Sequence, residues 1–143
     1  MPRAATRTAF AIKAEIADPK ARTFSFAAHK AMYGGKSIAA GDTVFIFANE
    51  NEGGQGLVAC GIVTHAEALE KRRGIAGQTP RASLSVRRTA LAKRPLGRSV
   101  LRPFTEWHDG RAATELHFKF YRQATNKIAG ISERAAAFLS GFF

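Results

Sequence analysis

The sequence predicts an α+β, mainly β protein: a small, strongly bent barrel of about six strands with a few short helices and a C-terminal helix packed on it. Three observations carry this. Strand-like runs recur at short spacing with turn residues between them. The central stretch Ile38 to Val63 holds two runs that are apolar on both alternating faces, so both faces must be covered. The strand–helix alternation of a doubly wound sheet is missing.

Taken in order, Thr8 to Ile16 places Phe10, Ile12, Ala14 and Ile16 on one face and Lys13 and Glu15 on the other, the pattern of a half-buried strand ended by Asp18-Pro19. Ser25 to Tyr33 reads as a short helix capped by Ser25, with Phe26, His29 and Tyr33 on one side and Gly34-Gly35 as its stop. Gly41-Asp42 turns the chain into the strand Thr43 to Phe47, and Ala48 to Gly56 is the loop to a second strand, Leu57 to Val63, running on through His65. Gly61 in mid-strand signals a bulge or close backbone approach. Glu67 to Arg73 is read as a helical turn, Gly74 to Pro80 as loop, and Ala82 to Leu91 as a strand with a basic side. Val100 to Phe104 is a helical turn or irregular, and Asp109-Gly110 signals a hairpin turn into a sixth strand, Leu116 to Tyr121. Gln123 to Gly130 is polar and irregular. Ser132 then caps a helix whose apolar stripe is Ala135, Phe138, Leu139 and Phe142. No repeat or linker divides residues 1–143, which are read as a single domain.

Eleven phenylalanines and a 45% hydrophobic fraction suffice for a core, and no apolar run approaches the roughly 20 residues of a membrane span, so no membrane association is expected. The single Cys60 allows no internal disulfide and fits a reducing, cytoplasmic compartment. The net charge of +11 is unevenly spread: Lys71 to Arg102 carries ten basic residues and no acid. Such a block attracts a polyanion and releases counterions from phosphates. Arg72, Arg73, Arg81, Arg87, Arg88, Lys93, Arg94 and Arg98 are its phosphate-binding candidates.

Gly53-Gly54-Gln55-Gly56 lies between two strands and is hairpin loop rather than a phosphate loop. His29, His65, His108 and His117 have no metal-ligand spacing, so neither metal nor cofactor is called for. Glu106, His108 and Asp109 are the tightest acid–base group, and the turn explains Asp109. No residue is therefore assigned a catalytic role. Aromatic and amide residues cluster at predicted strand ends: Tyr33, Asn49, Trp107, Gln123 and Asn126. A nucleobase offers a flat face and a donor–acceptor edge, which rings and amides serve without charge.

The stretch AAGDTVFIFANENEGGQGLVACGIV is similar to the strand pair of the PUA-like superfamily, in particular its EVE and ASCH branches, with "GD" before an apolar strand and a closing G-x-V, here Gly61-Ile62-Val63. The tail FKFYRQATNKIAGISERAAAFL resembles the closing strand and helix of EVE-like domains. The resemblance implies a pseudobarrel whose open side holds a base, often modified, beside a basic track. By position its pocket would involve Met32, Tyr33 and Ser37 together with Ala48 and Asn49. The chain departs from the EVE pattern in having no tryptophan before Trp107. The function expected is thus a non-enzymatic module for nucleic acid, RNA or DNA, with oligomeric state left open. A small hydrolase or nuclease using Glu106, His108 or Asp109 with Lys36 as electrostatic helper, and a domain that meets an acidic protein, are the alternatives.

Overall fold

The computed structural model describes residues 9–50, 56–69, 80–122 and 126–143. Within them the strands are β1 (Ala9–Ala14), β2 (Thr23–Met32), β3 (Thr43–Ala48), β4 (Gly56–Leu69), β5 (Arg81–Leu91) and β6 (Lys127–Ile131). They close a barrel in the order β1-β3-β4-β5-β2-β6, parallel at β1–β3 and β2–β6 and antiparallel elsewhere. The helices are α1 (Arg98–Leu101), α2 (Ala112–Leu116), continued by a π-helical turn His117–Tyr121, and α3 (Glu133–Ser140).

Two apolar layers explain why β3 reads as apolar on both faces, and they correct β1, read as half-buried, to a strand covered on both faces. Phe10, Ile12, Val44 and Ile46 point into the barrel with Phe24, Phe26, Leu84 and Val86. Ala11, Phe45 and Phe47 point outward and are covered by Leu101, Leu116, Phe120 and Leu139 from the helices. The side-chain period of two sends successive residues to opposite layers. Phe47, fully buried, stacks on Phe120 at 5.6 Å.

Several sequence expectations are corrected. Ser25 to Tyr33 is strand rather than helix: Phe24 and Phe26 alternate with exposed Thr23 and Ser25, and pairing with β5 outweighs the helical spacing of Phe26, His29 and Tyr33. Leu116 to Tyr121 is helical, because Leu116 and Phe120, one turn apart, both enter the layer under the helices. The sixth strand is instead Lys127–Ile131, most of it within Gln123 to Gly130, the stretch read as irregular. Asp109-Gly110 leads into α2 and not a hairpin; the Asp109 carboxylate accepts from Arg111 N at 2.9 Å and Thr114 Oγ1 at 3.0 Å. β4 continues to Leu69, so the helical turn expected from Glu67 is absent there; residues 70–73 of that expectation, and the Gly74 to Pro80 loop except Pro80, lie outside the described residues.

Other expectations hold. The ladders shift register beside Gly61, where an added Cβ would meet the Arg87 carbonyl oxygen at 2.4 Å. Ser132 Oγ accepts from Ala135 N at 3.1 Å and caps α3.

Candidate functional site

The parallel strands β1 and β3 end together, with Ala14 opposite Ala48, and Asn49 N donates to Ala14 O at 2.8 Å to extend the ladder one step. β6 enters here antiparallel to β1, setting Lys127 opposite Lys13. This register brings the amides together: Asn49 Nδ2 donates to Asn126 Oδ1 at 3.1 Å. It also buries two lysines on the outward, helix-covered face, Lys13 at 0% and Lys127 at 1% exposure. Lys127 Nζ donates to Lys119 O at 2.5 Å, satisfying a carbonyl of the π-helical turn. Lys13 Nζ lies 5.1 Å from the Tyr121 ring centre and closes no hydrogen bond among the described residues.

The electrostatics follow from this placement. Burial, reinforced by the Arg98 charge and partly offset by Glu50, holds the Lys13 pKa below the usual lysine value. Burial also lowers that of Lys127, helped by Lys13, Arg122 and Lys30. Tyr121 Oη closes no hydrogen bond among the described residues, and its pKa is pushed well up, first by burial and then by the Glu50 carboxylate. Glu50 reaches across to α1, where its Oε2 accepts from Arg98 N at 2.9 Å. Gly97 makes room for it, since a Cβ there would fall 2.8 Å from that carboxylate.

The π-helical turn joins this cluster to an aromatic one. Phe120 and Tyr121 are buried in the interior, while the preceding His117 and Phe118 join a surface group of rings. Phe118 has Trp107 edge-on at 5.5 Å and Tyr33 edge-on at 6.3 Å, while Trp107 also meets His117 at 5.3 Å. Lys119 Nζ stands 5.3 Å from the Tyr33 ring centre and the Arg122 guanidinium 4.1 Å from that of Phe118. Tyr33 and Trp107 remain 40% and 39% exposed. Tyr33 is held with φ 51°, a left-handed conformation unusual for a bulky residue and costing about 1–3 kcal/mol. Trp107, Phe118, Arg111 and Lys119 are among the walls of a cleft of about 260 Å³. Glu115 in that wall keeps a lowered pKa despite burial, because Ser132, through both N and Oγ, and Lys119 donate to it.

Of the residues proposed from sequence, Tyr33 and Trp107 thus meet around Phe118, and Asn49 and Asn126 meet each other. Met32 ends β2 opposite Ala129, and exposed Ser37 closes the turn Gly35–Ser37; neither has a polar contact to either group among the described residues. Ala48 ends β3 opposite Gly56 and is buried. The basic segment divides. Arg81 and exposed Arg87 lie on β5, and Arg88 Nη1 donates to Lys20 O at 2.5 Å. Lys93 and Arg94 lie by the C-terminal helix, and Arg98 lies beside Lys13. Arg72, Arg73 and Gln123 fall outside the described residues. Sequence reasoning missed Lys13, Lys127, Glu50, Phe118 and Tyr121. For Lys13 the available signal was its face-mates Ala9 and Ala11, too small and apolar for a solvated face.

No family model matches the sequence, and no curated protein matches it. Solved structures do. Human THYN1 in complex with 5-methylcytosine-containing DNA is similar over 93% of this chain and 96% of that one, at 15% identity and TM-score 0.65. The DUF55 domain of human thymocyte nuclear protein 1 follows at 13% identity, 92% and 96% coverage and TM-score 0.63. A hypothetical protein from Leishmania major is similar at 15% identity over 97% and 96%, with TM-score 0.59. At such identities the likeness is one of fold alone: the chain shares the architecture of these structures, in keeping with the pseudobarrel that the resemblance of its Ala39–Val63 strand pair implies.

Proposed function

We propose that the protein is a nucleic-acid-binding module that stacks a base, plain or modified, on Tyr33 and Trp107 around Phe118. Lys119 and Arg122 hold the adjoining phosphate, and Lys13 with the Asn49–Asn126 pair offers donors to a polar group reaching the strand ends. The observation that carries the reading is the trio of rings, two of them about two-fifths exposed, flanked by cations and open to a cleft. Exposed rings beside cations suit a base and its phosphate. The DNA-bound state in which human THYN1, of the same fold, has been solved adds support.

Trp107 is the only tryptophan, so its fluorescence reports on the cleft directly. Titration with methylated and unmethylated oligonucleotides is expected to quench it, with affinity falling steeply as salt rises. Trp107→Ala is expected to weaken binding by about 5- to 150-fold, the worth of one base–ring stack. Absent or salt-insensitive binding overturns the reading.

A further inference from the structure

A second groove, of about 360 Å³, opens where β4 begins and β5 ends, and shares no residue with the aromatic cleft. In barrel order β5 lies three places from β1, the strand the helices cover, so the groove's β5 wall is on the far side from the lysine pair. Its floor is apolar, with Leu57, Val58 and the 36% exposed Leu91; its rim carries Lys20, Lys93 and Arg94, and no carboxylate among the described residues lines it. Two rim positions are held in advance. The Lys20 carbonyl accepts from Arg88 Nη1, and the Arg94 guanidinium donates to Gly141 O at 2.7 Å while lying 4.5 Å from the Phe142 ring centre.

We infer that this groove is a second binding site, for an unpaired nucleic-acid segment whose base faces lie on the apolar floor and whose phosphates meet the three cations. A duplex hides its base faces and gains nothing from such a floor, whereas a single strand presents both chemistries together. Arg94, held through its guanidinium, loses little side-chain freedom on binding. The inference rests on the ligand class proposed above and adds a second point of attachment, so that one protein engages two segments.

The test is stoichiometry with a single strand of about six nucleotides, near the lower end of known site sizes. Two strands per protein are expected, by calorimetry or native mass spectrometry, with Trp107 quenching followed in parallel. Lys20→Glu combined with Lys93→Glu, both exposed positions, is expected to leave one strand and unchanged quenching. Leu91→Ser, which leaves the charge untouched, is expected to weaken the second site about fivefold or more, as loss of base contact does. Wild-type stoichiometry of one with either groove variant inert overturns the inference. So does equal displacement of the second strand by polyglutamate, which would assign the groove to an acidic protein. Groove binding that persists without Trp107 quenching would instead overturn the cleft reading alone, and no binding at all overturns both.

Discussion

A lysine ammonium buried to its tip, with a ring for company and no acceptor among the described residues, is costly, because the cation–π contact and the Glu50 charge only partly repay its desolvation. The folded protein holds the Lys13 proton less tightly than the unfolded chain, where the group titrates near 10.5. Between the depressed value and 10.5 the unfolded chain binds more protons, so stability rises with pH there, and the penalty is present in full below that window. Lys13→Met keeps the length and removes the charge. It is expected to stabilise the protein by about 1–4 kcal/mol near neutral pH, with the gain shrinking toward pH 10, and to weaken anion-dependent binding. Thermal melts of both proteins across that range check the first part, and oligonucleotide titration checks the second.

At the scale of elements, the π-helical turn matters most, since it is what sends Phe118 and Lys119 to the surface and Phe120 and Tyr121 inward within five residues. Such turns recur at functional sites because the extra residue re-aims side chains. Gly61 plays the corresponding part in the sheet: the Arg87 carbonyl oxygen occupies the space a side chain would need. Gly61→Ala is expected to cost about 1–3 kcal/mol, toward the upper end because the neighbour is backbone, measured by urea denaturation. Gly61 was readable from sequence as a bend, and β1, β3, β5 and α3 were readable from periodicity. Leu116 to Tyr121 was not. Over six residues Leu116, Phe118 and Phe120 fit a period of two, while Ala112, Leu116 and Phe120 fit a helix equally well, and only packing against Phe47 and Leu139 selects the second. The pairing of Lys13 with Lys127 was out of reach for a different reason. It depends on the register of β6, whose short run Lys127–Ile131 carries no strand signature beyond its isoleucines.

For the whole molecule, stability resides in two layers that share β1 and β3 as a common wall. Phe47 belongs to the outer layer, fully buried between Phe120 and Tyr121. Phe47→Ala is expected to cost about 3–5 kcal/mol and to loosen the π-helical turn that Phe47 supports, so calorimetry should show a lower Tm and titration a weaker ligand. The order of strands has another outcome. β6, assembled from residues 127–131, fits between β1 and β2, the first two strands of the chain. A polypeptide lacking residues 127–143 would leave both neighbours with bare edges and Lys13 without its β6 partner Lys127. During synthesis the ring is therefore fastened only once residues 127–131 emerge, and the strand-end cluster of Lys13, Asn49 and Asn126 is completed at that moment rather than growing by degrees.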